Sequence, residues 1–297
     1  MGNLKFFSLL LIIVIAFSVS FASGGAFDWF GKITGRATTG DANVTITISN
    51  TAPSIFNVSS IAAQSPTINS TTAVTFTFNV TDPDGVADLT NSTARANFSK
   101  SGDTTVSNSS CIVFNYTVNS TTAQYHCTVN MNYYGGAGTW TVNAMINDTS
   151  NAQATNSSTS FTYNALNAMA INVTSLTWGA VGVTSTDTGS NNDPVGVLNL
   201  GNQALWTNVT GKDLLGYTTP TRLIPTAYFE VDDVSQGCSG TALVNATSTN
   251  ITAAAAITPA SGAFGDRYFC LTQLYANTTA QVYNTTGYGA WTVTTTT

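Results

Sequence analysis

The chain has 297 residues, of which 43% are apolar and 7% are charged, with 8 basic side chains against 14 acidic ones. This shortage of Lys and Arg argues against a nucleic-acid partner, because binding to the phosphate backbone requires clustered basic residues. The apolar content is high enough to build a packed core, so the composition also excludes a disordered chain. The length favours two domains.

The N-terminus has the features of a secretory signal peptide. Lys5 precedes an apolar run at residues 6–17, and Ser20-Phe21-Ala22 places small residues at the spacing of a cleavage site. We therefore predict a signal peptide over residues 1–22. The alternative is an uncleaved anchor, which would be short for a membrane-spanning helix and would leave the rest of the chain outside. Both interpretations predict an extracellular protein at the cell surface, with membrane contact only through an uncleaved N-terminal segment.

Residues 23–50 are predicted to form a glycine-rich tether that contains one strand. At residues 43–49 the apolar Val44, Ile46 and Ile48 alternate with polar residues, which is the period of a strand with one apolar face. Pro53 interrupts strand pairing shortly afterwards.

Residues 51–165 have the pattern of an antiparallel β-sandwich. Val74, Phe76, Phe78 and Val80 alternate with polar residues, and the strand that they indicate ends in the turn sequence at residues 82–85. Seven strand-like segments follow one another without a helical period, which is typical of a sandwich. These segments lie at residues 55–61, 74–81, 93–99, 111–118, 123–130, 139–146 and 158–163.

Three stretches of this domain resemble the immunoglobulin-like modules of secreted prokaryotic, archaeal-type surface glycoproteins. They are NVTDPDGVADL at residues 79–89, GTWTVNAMINDTSNAQA at residues 138–154, and Tyr125-His126-Cys127. The resemblance implies an immunoglobulin-like fold and partners that are other surface proteins or copies of the same chain. The sequence departs from antibody-type domains because Cys111 and Cys127 are too close for a bridge between the two sheets. A bridge between neighbouring strands is expected instead.

Residues 166–297 are predicted to form a second, diverged β-sandwich, so that the fold class is all-β with two tandem immunoglobulin-like domains. The sequence at 268–270 repeats the Tyr-x-Cys of residues 125–127, and residues 289–293 repeat the Gly-x-Trp-Thr-Val of residues 138–142. The predicted strands lie at residues 171–181, 195–201, 226–234, 242–248, 267–276 and 290–297.

The two Gly-x-Trp-Thr-Val segments differ in their C-terminal neighbours along the chain. A further strand at residues 158–163 comes after the first, whereas none is predicted after residue 293. The second sandwich is therefore expected to lack its last strand, and residues 43–49 of another copy could supply it. The alternative is that residues 43–49 pair with their own first domain, because consecutive strands usually pair.

The four cysteines are expected to form disulfides. None belongs to a CxxC motif and His126 is the single histidine, so a zinc site of ordinary spacing is not predicted. Three pairings are possible. Nearest-neighbour pairing, Cys111 with Cys127 and Cys238 with Cys270, keeps each bridge within one domain and implies an oxidising compartment.

Asn-x-Ser/Thr sequons are about twice as frequent as the Ser and Thr content alone would produce. When the middle residue faces the core of a strand, the Asn faces solvent and is open to a glycan. The alternative is that strand alternation in a Thr-rich chain generates the pattern unaided. We predict glycans at several of the sites Asn43, Asn57, Asn69, Asn79, Asn91, Asn97, Asn108, Asn115, Asn119, Asn147, Asn156, Asn172, Asn208, Asn245, Asn250, Asn277 and Asn284.

A cluster of acidic residues suggests calcium. Asp82, Asp84 and Asp88 lie in one loop, and an immunoglobulin-like topology brings Asp148 to the same pole. Ca²⁺ prefers clustered carboxylate oxygens. The alternative is turn chemistry, since Asp and Pro are good turn formers. No other cofactor is predicted.

Catalysis is not predicted, because one His and the single Glu, Glu230, leave few general bases. Glu230 and Asp232 are expected to lie on one solvent face of a strand, and Trp140 and Trp291 are expected in the core. The leading hypothesis is a secreted, N-glycosylated structural protein of the cell surface, a component of a coat or a filament. An adhesin or carbohydrate-binding module is the alternative and would require exposed tryptophans.

Overall fold

The computed structural model describes residues 43–107, 109–235, 238–252, 254–276 and 278–297. The predicted signal peptide or anchor, and the tether up to residue 42, lie outside them. The described residues form antiparallel β-sheets with two short 3₁₀ turns and no α-helix, which confirms the predicted all-β class. No helix in this part of the chain is long and apolar enough to cross a membrane. Residues 50–297 form one compact unit, and residues 43–49 are described separately.

The first β-sandwich contains the seven strands that the sequence predicts. One sheet has the order β1-β2-β5-β4 and the other β3-β6-β7, which is the strand order of a constant-type immunoglobulin domain. The strands are β1 (Ser54–Val58), β2 (Thr71–Thr81), β3 (Leu89–Ser99), β4 (Ser109–Asn119), β5 (Thr122–Asn132), β6 (Gly138–Asp148) and β7 (Gln153–Tyr163), with the 3₁₀ turn η1 (Val86–Asp88) before β3.

The first core lies between these two sheets. Val74, Phe76, Phe78 and Val80 of β2 are buried, as their period of two requires, and Phe78 stacks on Tyr125 of β5 with ring centroids 5.1 Å apart. From the other sheet, Phe98 and Phe161 meet at 4.8 Å and Trp140 is 1% exposed. Burial of each large apolar side chain contributes about 1.5–3 kcal/mol to stability, so this layer is the main reason why the two sheets stay together.

Both predicted disulfides are confirmed. Cys111 and Cys127 lie directly opposite each other on β4 and β5, two neighbouring strands of one sheet. Cys238 joins Cys270 in the second half of the chain. No free cysteine is found in the described residues, as expected for a protein of an oxidising compartment.

The second half of the chain, residues 166–297, is built from shorter strands. One sheet has the order β15-β14-β17-β10-β8, and β9 also pairs with β17, at residues 270–273. Two three-stranded sheets have the orders β16-β11-β19 and β13-β12-β18. The strands are β8 (Met169–Ile171), β9 (Thr186–Gly189), β10 (Val195–Asn199), β11 (Trp206–Thr210), β12 (Leu214–Gly216), β13 (Leu223–Ile224), β14 (Phe229–Asp232), β15 (Thr241–Ala242), β16 (Ser248–Asn250), β17 (Phe264–Gln273), β18 (Tyr283–Asn284) and β19 (Thr292–Thr296), with the 3₁₀ turn η2 (Thr226–Tyr228) before β14.

Three of the predicted strands in this half are wrong in extent. The strand predicted at residues 226–234 begins only at Phe229, after the turn η2. The strand predicted at residues 171–181 ends at Ile171, because the Asn172 side chain accepts a hydrogen bond from Gly196 N at 2.7 Å and Trp178 Nε1 donates to Thr188 O at 3.0 Å. Side chains thus replace ladder pairing there. The strand predicted at residues 242–248 is interrupted between β15 and β16.

A polar junction joins the two halves. Asn202, which is 3% exposed, donates from Nδ2 to Gly135 O at 3.1 Å and to Asn164 O at 2.9 Å, and its Oδ1 accepts from Leu166 N at 2.7 Å. Gly201 lies so close to the Leu166 carbonyl that a Cβ would come within 2.0 Å of its oxygen. The chain therefore requires glycine at this position.

The strand predicted in the tether is not formed. Residues 43–49 adopt no strand, and Val44, Ile46 and Ile48 are 81%, 80% and 85% exposed. The alternating pattern is present, but a strand is stable only when a neighbouring strand satisfies its backbone groups.

Candidate cation site and exposed strand edges

The connection from β2 to β3 places three carboxylates close together. Asp82 follows β2 directly, and its Oδ1 accepts from Asp84 N at 2.9 Å, which is the turn expected of Asp before Pro83. Gly85 has φ 105°, a conformation that favours glycine, and it leads into η1, where Asp88 lies. Each of the three Asp residues can offer one oxygen such that these oxygens all lie within 4.8 Å of one another.

These carboxylates share a pattern of hydrogen bonding. One oxygen of each accepts a hydrogen bond that orients the group. Asp82 accepts from Asp84 N within the same turn, whereas Asp84 accepts from Thr51 N at 2.6 Å and Asp88 from the Thr149 hydroxyl, both in other loops. The second oxygens of Asp82 and Asp88 are buried and have no hydrogen-bond partner among the described residues. Asp82 as a whole is fully buried.

No basic side chain in the described residues forms an ion pair with these carboxylates. Lys100–Asp103 is the ion pair found in the described residues, and it lies elsewhere. Burial raises the pKa of the Asp82 carboxyl, and the charges of Asp88, Asp84 and Asp148 raise it further, against the lowering effect of the hydrogen bond from Asp84 N.

Asp148 is near this cluster but does not belong to it. It is 1% exposed, and both of its oxygens are occupied: Oδ2 accepts from Asn50 Nδ2 at 2.9 Å and Oδ1 from Ala152 N at 2.8 Å. The hydrogen bond from Asn50 lowers the pKa of the Asp148 carboxyl. The structure therefore brings three of the four predicted ligands together, and Asp148 holds Asn50 beside them. The sequence did not indicate Asn50 and Thr51, because their hydrogen-bond partners, Asp148 and Asp84, are distant from them along the chain.

A second acidic group lines a cleft of about 370 Å³ beside the Cys238–Cys270 disulfide. Its carboxylates come from Asp187, Asp193, Glu230 and Asp232. Glu230 was expected to face solvent, but its Oε2 is buried without a partner among the described residues, and burial raises the pKa of its carboxyl. The expectation of a simple solvent-facing pair is wrong for Glu230, since it lines this cleft together with Cys238 and Gly240.

The sequon asparagines that the structure describes are mostly accessible. Those with exposed side chains are Asn43, Asn57, Asn69, Asn119, Asn172, Asn245 and Asn250, and those of intermediate exposure are Asn79, Asn91, Asn97, Asn147, Asn156 and Asn284. Asn208 is 7% exposed in β11, with Nδ2 3.5 Å from Thr296 Oγ1, so it is a poor acceptor in the folded chain. The side chains of Asn108, Asn115 and Asn277 lie outside the described part.

Most of the tryptophans that the structure describes pack in the two cores. Trp140 is in the first core, as expected, and its Nε1 donates to Gly136 O at 2.9 Å. Trp291 packs against Phe229 with ring centroids 5.0 Å apart, although it is only half-buried. Trp206 is 41% exposed.

The last strand, β19, has an open edge. It pairs with β11 along one side, and no strand in the described part of the chain pairs with its other side. By contrast β6, which carries the matching Gly-x-Trp-Thr-Val sequence, lies between β3 and β7. Val293 packs against the second core but is only half-buried.

Comparisons with known proteins identify no family for this chain. No family model matches the chain, and no curated protein matches it either. Among solved structures, the C-terminal domain of the AgI/II polypeptide BspA of Streptococcus agalactiae is 8% identical, with 82% of this chain and 99% of that chain aligned and a TM-score of 0.16. A likeness with this TM-score carries no argument about fold or function.

Proposed function

We propose that the chain is a secreted, N-glycosylated structural protein of the cell surface, a coat or filament component that assembles through its β-strands. The observation that carries the proposal is the segment at residues 43–49. It has the alternation of a strand, yet Val44, Ile46 and Ile48 are at least 80% exposed. An apolar face of this kind is unfavourable in water and is typical of a segment that a partner covers.

The open side of β19 is the acceptor that fits this segment. β19 spans five residues and the segment seven, so one can lie along the other over the full length of β19. Strand addition would satisfy the free backbone groups of β19, and the apolar face of the segment would cover Val293 and extend the second core. Donor and acceptor lie in different parts of the chain, so repeated addition is head-to-tail and builds an open fibre.

The disulfides and the accessible sequons support an extracellular role of this kind. The two disulfides fit an oxidising compartment. With only 7% charged residues, the surface has few ionic groups to keep it soluble, and glycans on the accessible sequons would supply hydration instead. The adhesin alternative would depend on Trp206, the one exposed tryptophan in the described residues.

Single substitutions in the segment test the proposal. Replacement Ile46→Asp puts a charge on the face that the acceptor buries, and we expect it to abolish polymers seen by electron microscopy and light scattering of the secreted chain. Replacement Thr47→Asp adds the same charge to the opposite face and should leave polymers intact. A native chain that stays monomeric at high concentration would show that the proposal is wrong.

A further inference from the structure

The acidic cluster at residues 82–88 has a property that turn formation alone does not explain. A turn needs the Asp82 Oδ1 contact to Asp84 N and no more. The Oδ2 atoms of Asp82 and Asp88 are nevertheless buried, and no described residue offers them a hydrogen bond. Buried polar atoms in folded proteins nearly always have a partner, and those of carboxylates most of all.

The spacing of the three carboxylates fits one cation. Oxygens bound to a common Ca²⁺ lie about 2.3–2.6 Å from it and can therefore be up to about 5 Å apart. Asp82, Asp84 and Asp88 can each offer one oxygen such that these three oxygens lie within 4.8 Å of one another. Without a cation the three groups repel one another in a partly buried position, because no Lys or Arg in the described residues pairs with them.

The surrounding hydrogen bonds hold the carboxylates of the cluster in fixed orientations, as the ligands of a metal ion are held. Thr51 N holds Asp84 and the Thr149 hydroxyl holds Asp88, each through one oxygen. The free oxygens of Asp82 and Asp88 are thereby left for another ligand.

We infer that Asp82, Asp84 and Asp88 bind one Ca²⁺ at this pole of the first sandwich, with water completing the coordination. Asp148 does not coordinate the ion but holds Asn50 next to it. Since Thr51 bonds directly to Asp84, the bound ion also fixes the start of the sandwich, where the tether enters. This inference does not depend on the proposed function.

Calcium titration of the full chain after treatment with a chelator tests the inference. We expect one binding site by calorimetry, and a rise in the unfolding temperature of about 5 °C or more at millimolar Ca²⁺. Mg²⁺ should bind more weakly, because it demands a tighter octahedral shell.

Matched Asp→Asn variants locate the ion. Asp82→Asn and Asp88→Asn should each weaken Ca²⁺ binding at least tenfold, while Asp148→Asn should weaken it less. Because Asp82→Asn also removes repulsion, it should fold and be at least as stable as the native chain without calcium. Asp187→Asn, in the second acidic cleft, is the control and should bind Ca²⁺ normally. Absence of binding, or loss of binding in Asp187→Asn alone, would overturn the inference.

Discussion

Asp193 is a carboxylate that links pH to stability in the second half of the chain. Both of its oxygens accept from Phe269 N, at 3.1 and 3.0 Å, and burial raises the pKa of its carboxyl. A raised pKa means that the folded state binds the proton more tightly than the unfolded state does. The stability that this proton provides is present below the ordinary pKa near 3.8 and is lost as the pH rises through the folded value.

We therefore predict that Asp193→Asn becomes more stable relative to the native chain as the pH rises from about 4 to 7. Asn keeps an oxygen for Phe269 N but does not titrate. Asp193→Ala removes the acceptor and should be less stable at every pH, which separates the charge from the hydrogen bond. The measurement is urea unfolding across this pH range, and a constant difference between Asn and native chains would contradict the prediction.

At the scale of elements, the junction between the two halves depends on Asn202. The three hydrogen bonds from its side chain to backbone groups would all be lost in Asn202→Ala, which would leave partly buried groups of Gly135, Asn164 and Leu166 without these partners. We expect a loss of about 2–3 kcal/mol in the free energy of unfolding. The measurement is urea denaturation. Asn167→Ala, an exposed position close by, should change stability by less than about 0.5 kcal/mol. Equal stability of the two variants would contradict this role for Asn202.

The length of the strands decides how much of the fold the sequence predicts. Strands β2 to β7 each have 11 residues, so their alternation repeats often enough to be recognised. Strands β12, β13 and β18 have two or three residues and carry no readable period. Their positions are set by tertiary pairing, which local sequence does not encode.

The same reasoning applies to the candidate cation site. Asp82, Asp84 and Asp88 are close in sequence, so one loop suffices to predict that they meet. The distance of Asp148 from the ligands, and the contacts of Thr51 and Thr149, depend on how distant segments pack at one pole. The strand order of the sandwich places such groups at the same end, but it does not show which hydrogen-bond partner each carboxylate oxygen has.

At the scale of the whole molecule, an open fibre requires one donor and one acceptor on each copy. Deletion of residues 41–49 removes the donor and keeps Asn50 in contact with Asp148. Replacement Thr295→Lys blocks the acceptor, because Thr295 is half-buried in β19 and a strand laid over this edge would bury the added charge. In the monomer the Lys side chain can reach solvent through the open edge, so the chain should still fold.

We predict that neither variant polymerises alone and that a mixture of the two forms a dimer that does not grow. The deletion variant offers only β19 and the Thr295→Lys variant offers only residues 43–49, so one strand addition uses both. Native mass spectrometry with one variant isotope-labelled would identify the mixed dimer, and Thr294→Lys, on the exposed face of β19, serves as the control that still polymerises. Polymers formed by Thr295→Lys alone would show that the acceptor is another edge, and a mixture that stays monomeric would show that residues 43–49 do not add to β19.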